Sequence, residues 1–121
     1  MTRPTRQHTA GHRRDPLWIA AMVHRISGLA LACFLPLHFL ALALAIDGAA
    51  RLDGFLAWTA SPLVKLAETV LVFLLAVHML GGLRVLVIEN LPWREGQKRL
   101  AWLAGCVAIA IAALFLIRTI A

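Results

Sequence analysis

At 121 residues, 61% of them hydrophobic and 15% charged, with a mean hydropathy of +0.81, the chain makes one domain at most. It is too apolar for an ordinary soluble protein, in which about a quarter of residues are charged. The formal charge of +6 invites a nucleic-acid partner, but the basic residues gather at the ends of apolar runs, where they read as membrane topology instead.

Apolar stretches at roughly 17–46, 62–91 and 100–120 each reach the ~20 residues needed to cross a bilayer as a helix. The predicted fold is therefore an all-α integral membrane domain over 15–121. Its transmembrane helices fall at about 16–46, 62–91 and 98–120, as part of a multi-subunit helical bundle. Arg3, Arg6, Arg13 and Arg14 precede the first span, and Arg94, Lys98 and Arg99 lie between the second and third. The loop between the first and second carries Asp47, Arg51 and Asp53. The excess of Lys and Arg puts the N-terminus and the second loop in the cytoplasm. The polar start, up to residue 16, argues against a cleavable signal peptide.

Residues 1–14 read as a polar, basic cytoplasmic tail that is either free or in contact with a soluble partner or lipid headgroups. Asp15-Pro16 then offers an N-cap and a first-turn proline for the first helix, and Trp18 suits the headgroup level. This helix is expected to stop at Asp47-Gly48. Its ~45 Å exceeds the ~30 Å hydrocarbon thickness, so His24-Arg25 falls near the cytoplasmic boundary. Gly28 and Ala32 form a small-xxx-small pair, and Pro36 should kink the helix. The stretch from Asp47 to Ser61 is expected to be an outward loop with Trp58 as an anchor. Ser61-Pro62 repeats the cap-plus-proline device, Lys65 can snorkel, and Glu68 needs a partner. Trp93 and Trp102 bracket the inner loop. The last helix carries a stripe of Ala101, Ala104, Gly105, Ala108 and Ala112 and is given a structural role. Cys33 and Cys106 are expected to pack as small hydrophobes, since neither has metal-ligand or redox-pair spacing.

The chemistry concentrates at His78-Met-Leu-Gly-Gly82-Leu-Arg84. His78 lies roughly 24 Å into its helix, in the cytoplasmic half. Imidazole is the usual ligand of b-type haem, and Gly81-Gly82 next to it leaves room for a flat ring. The bland alternative is a histidine hydrogen-bonded to a neighbouring helix. His24-Arg25 stands at the same side of the membrane. Arg25, and likewise Arg84 about 9 Å from His78, either snorkels, pairs with haem propionates or donates to a quinone carbonyl. His38, ~21 Å along the first helix from His24, is either a packing histidine beside Pro36 or a ligand to a second haem. Glu89 is an interfacial charge, a proton relay or a loose partner of Arg84.

Two elements, in this order and separation, carry a family resemblance: His24-Arg25-Ile26-Ser27-Gly28 in the first helix and His78-x-x-x-Gly82-Leu83-Arg84 in the second. With the three-helix layout, the chain resembles the cytochrome b subunit of succinate dehydrogenase (succinate:quinone oxidoreductase, respiratory Complex II) over roughly residues 15–120. The resemblance implies a haem b with His78 as axial ligand to its iron, the other ligand coming from a second small membrane subunit. It implies His24 near the haem propionates, Gly82 and Arg84 in the haem surroundings, and Arg25 and Ser27 at the quinone site. An iron–sulfur subunit and a flavoprotein subunit are the implied soluble partners, in a bacterial cytoplasmic membrane. Nothing in the chain itself resembles a flavin or iron–sulfur site, so no catalytic residue is expected.

Departures from the family pattern are Ala21, where many members have a quinone-pocket serine, and Val85, where many have a second histidine. Glu89 stands where aspartate is usual, and the N-terminal Arg-Pro-Leu-Ser-Pro-His-type element is missing. Alternatives from other classes are a haem-free structural anchor, the equivalent subunit of a fumarate reductase, and a small transporter built around Glu68 and His38.

Overall fold

The computed structural model describes residues 14–91 and 96–121, so most of the basic tail and the Trp93-Arg94 loop lie outside the described residues. Four helices follow in order: α1 Pro16–Asp47, α2 Ala49–Thr59, α3 Pro62–Asn90 and α4 Gln97–Ile120. No strand occurs among the described residues. The helices α1, α3 and α4 are each long and apolar enough to cross a membrane, as expected.

Local chemistry sets the helix ends. Asp15 adopts extended backbone and its carboxylate accepts the Leu17 N–H at 2.9 Å, while Pro16 occupies the first turn where its missing N–H is harmless. The helix continues unbroken through Pro36 to Asp47. At Gly48 the backbone swings to φ 126°, a conformation costly for any residue with a Cβ, and the chain turns. Ser61 has the extended N-cap backbone before Pro62, but its hydroxyl makes no capping hydrogen bond, so the proline alone marks that start.

The expected outward loop is instead the helix α2. Gly48 interrupts the backbone without ending helical propensity: Ala49, Ala50, Arg51 and Leu52 are good helix formers, and Arg51 reaches back to Asp47 at 3.3 Å. Leu52, Phe55 and Leu56 fall on one face and turn toward the outer halves of α1 and α3.

The hub is α3, which packs extensively against both α4 and α1, with a lesser contact between α1 and α4. Its small core comprises Ala76, Val77 and Ala108, flanked by Phe73 and Leu80. Ala108, fully buried, comes from the predicted small-residue stripe of α4. None of the most apolar window of α1 is buried, and only 11% and 6% of those of α3 and α4. Such helices leave most of their apolar surface to lipid or other membrane chains. Cys33 and Cys106 sit on that exposed apolar surface. Glu68 finds its partner one turn back, in Lys65 at 3.2 Å.

Candidate functional site

The site is built where α1 crosses α3. Ser27 on α1 is 1% exposed, and its hydroxyl donates to the His24 carbonyl at 3.0 Å, a local back-bond typical of serine in helices. From α3, His78 reaches the same oxygen, its Nδ1 lying 3.2 Å from it and 3.4 Å from Ser27 Oγ. A carbonyl can only accept, so Nδ1 is the donor here, and of the two neutral tautomers this contact selects the one with its lone pair on Nε2. A histidine held this way is prepared for a metal, since ligating imidazoles generally donate their other N–H to a carbonyl or carboxylate.

Glycines make this approach possible, in a crossed arrangement. A Cβ on Gly28 would lie 2.8 Å from His78 Cε1, so the ring of α3 rests directly on α1 backbone. Conversely, a Cβ on Gly81 would lie 3.0 Å from His24 Nδ1, and one on Gly82 3.4 Å from His24 Cε1. The room at Gly81-Gly82 therefore receives His24, and the space for His78 comes from Gly28. The two imidazoles stack with centroids 4.5 Å apart and planes 2° from parallel. Face-to-face rings cannot be the two axial ligands of one iron, which must point nitrogens at each other from opposite sides. His24 Nδ1 is buried without a hydrogen-bond partner among the described residues.

Beside the stack lies a cavity of about 350 Å³, lined by His24, Arg25, Arg84 and Glu89 together with Ala21 and Val85. Arg25 and Glu89 are exposed, whereas Arg84 is only 9% exposed and its Nε has no partner among the described residues. No ion pair joins Arg84 to Glu89 among the described residues. Ala21 and Val85 line this one cavity from α1 and α3, as small apolar residues among its four titratable ones. Ser27 does not line it; its hydroxyl is turned to the His24 carbonyl and the His78 ring. That role rests on a contact between residues 51 apart in sequence, and the signal available was Ser27 sharing a helix face with His24 and Gly28.

His38 lies well away, exposed on α1 and 5.6 Å from the Phe34 ring. It borders an outer cavity of about 900 Å³ between α1, α2 and α3, with Trp58 and Glu68. Among the described residues it is the one histidine there, and no cluster of three or more His, Cys, Asp or Glu side chains occurs.

Over residues 1–117 the sequence matches the family described as succinate dehydrogenase/fumarate reductase transmembrane subunit. The chain belongs to that family. It is also 33% identical over 103 residues to the succinate dehydrogenase 2 membrane subunit SdhC of Mycobacterium tuberculosis (strain H37Rv), covering 83% of this chain and 74% of that protein. As a succinate dehydrogenase/fumarate reductase transmembrane subunit it is a multi-pass membrane protein, and such a subunit works with other subunits in a complex. The exposed apolar faces of α1, α3 and α4 agree with a chain that completes its packing against lipid and other subunits.

Proposed function

We propose that this chain is the haem b-bearing membrane anchor of a bacterial succinate dehydrogenase. It would sit in the cytoplasmic membrane with its N-terminus inside, beside a second small membrane subunit, an iron–sulfur subunit and a flavoprotein subunit. The observation that carries the haem reading is His78: Nδ1 held by the His24 carbonyl, the ring seated on Gly28, and Nε2 left with its lone pair. Those residues would suit a ligand to haem iron, and the guanidinium of Arg84 would suit a propionate contact nearby. The stacked geometry of His24 supports a second ligand from the partner subunit. A b-type haem held by two imidazoles supplies low-spin, one-electron transfer when bound.

Within this reading the chain's own side chains do three things. Ser27 and the His24 carbonyl fix the His78 ring so that its Nε2 is presented in one orientation. Arg25, exposed at the cavity it shares with Glu89, donates to a quinone carbonyl, and the apolar Ala21 and Val85 offer surface to the quinone ring. The transmembrane helices hold the soluble subunits at the membrane. A second haem at His38 has less support, because its cavity offers no other histidine among the described residues.

One rival has an observation of its own. The His24–His78 stack is close enough to serve as packing alone, as in a haem-free anchor of the same complex or of a fumarate reductase. A reduced-minus-oxidised spectrum of the purified complex, with haem quantified per complex, separates the two. Haem b absorption lost in His78→Ala is the expected result. Absorption that is absent from the wild type, or unchanged in the variant, overturns the haem assignment.

A further inference from the structure

A second cavity, of about 260 Å³, opens on the other side of Arg84, between α1, α3 and α4. Its charged lining groups are Arg14, at the entrance to α1, and Arg84, six residues before the end of α3. Trp102, Ala104 and Gly105 of α4 complete the wall, and among the described residues no carboxylate lines it. None of His24, Arg25 and His78 reaches this space. Arg84 lines both cavities, 91% buried, with an Nε lacking any partner among the described residues. A buried guanidinium donor without an acceptor is expensive, so the site is incomplete as it stands. What it lacks is an anion.

The surroundings narrow the kind of anion. The N-termini of α1 and α4 lie at this end of the bundle, and the partial positive charge of helix N-termini adds to the two cations. Asp15, next to Arg14, is engaged in capping Leu17 and is not part of the lining. Beyond the guanidiniums the walls are Ile19, Val23 and Val77, apolar residues of helices long and apolar enough to cross a membrane. Trp102, 67% exposed, stands at the same end, as indoles do at the headgroup level. A soluble phosphate would satisfy the cations and leave this apolar slot unused. A phospholipid satisfies both.

We infer that this cavity binds an anionic phospholipid, its phosphate between Arg14 and Arg84 and an acyl chain against Val23, Val77 and Gly105. Gly105 gives a direct handle: a Cβ there meets nothing within 4 Å, so a larger side chain enters the slot without striking neighbouring atoms at its base. Arg14 gives another, being exposed and outside the haem and quinone residues proposed above. The site shares Arg84 with the haem surroundings proposed above: a propionate would meet that guanidinium from the His24 side and a phosphate from the Arg14 side, and the Arg14 and Gly105 variants test the second contact alone.

The test uses native mass spectrometry of the full-length chain, purified with the subunits that accompany it. It is loaded with phosphatidylglycerol or with phosphatidylcholine of the same acyl chains. The expected result is a retained phosphatidylglycerol adduct exceeding the phosphatidylcholine one. Arg14→Gln should lower phosphatidylglycerol retention roughly fivefold, the equivalent of one basic residue at a membrane surface. Gly105→Leu should remove most of it while haem content stays at the wild-type level. Circular dichroism verifies that each variant keeps its helices, and Arg14→Gln alone decides if Gly105→Leu does not. Equal retention of the two lipids, or undiminished phosphatidylglycerol in a folded variant, overturns the inference. Displacement of the adduct by millimolar inorganic phosphate overturns the lipid as occupant.

Discussion

His24 and His78, from different helices, lie with their rings parallel to within 2°, and each rests on glycine backbone of the other helix. The pair is thus a tight contact between α1 and α3. Anything that adds volume at Gly28 or Gly81 must move a ring, because the nearest atoms to each are imidazole atoms of the facing helix.

Gly28→Ala tests this directly. The new Cβ would lie 2.8 Å from His78 Cε1, well inside contact distance, so the ring must leave its seat. We expect a loss of about 1–3 kcal/mol in stability, as for other overpacked sites, and a drop in haem per complex. Thermal melting and the haem spectrum check both. Gly54→Ala is the control: nothing lies within 4 Å of its Cβ, and removing a glycine from a helix interior should gain up to about 1 kcal/mol with haem unchanged.

Ser27→Ala removes the hydroxyl that bonds the His24 carbonyl and neighbours His78 Nδ1. A role as positioning residue for His78 predicts haem that dissociates roughly 10–100-fold more readily, with quinone reduction per remaining haem unaltered. A direct quinone contact predicts the reverse: intact haem and a raised KM for quinone. Haem retention on dilution and steady-state kinetics on the same samples distinguish the two.

Arg25 is exposed in the cavity that it shares with Ala21, Val85 and Glu89. Changing it to Ala is expected to depress quinone reduction by roughly 10-fold or more, the scale of one lost charge-assisted hydrogen bond, with little change in haem content. Equal loss of both would assign it to the haem or to folding.

Gly48→Ala places a Cβ where φ is 126°. We expect about 1–3 kcal/mol of destabilisation from backbone strain, although the added methyl itself meets nothing within 4 Å. Gly48→Asn should recover none of it, because φ 126° with ψ 160° lies outside the left-handed helical region that asparagine tolerates. Denaturation midpoints in one detergent compare the three proteins.

The sequence reading reached the long helices because their apolar runs exceed anything a soluble core requires, and because Asp15-Pro16 is a strong local start signal. It missed α2, since Gly48 carries a turn signal whether or not a helix resumes after it. The motif histidines are legible, and Gly81-Gly82 reads as room for a porphyrin beside His78; in the structure the His24 ring lies against those glycines. Gly82 is near His78 along one helix, while the contacts that matter cross between helices: Gly28 with His78, and Gly81 with His24. Ser27 was hidden for the same reason. Its place in its own motif suggested a ligand contact, and its actual partners include a side chain from a distant part of the chain. Arg84 was visible as a charge in an apolar run, but not as a group buried between two cavities.

The carbonyl of His24 receives a hydrogen bond from a ring 54 residues further along the chain. At ribosomal rates of ~5–20 residues per second, roughly 3–11 s pass between synthesis of the acceptor and of its donor. During that interval α1 is already made, with Gly28 uncovered and the His24 ring unstacked. The pair is therefore a late product of biogenesis, formed only once α3 has followed α1 into the bilayer, and any cofactor that depends on it must be loaded after translation has passed His78.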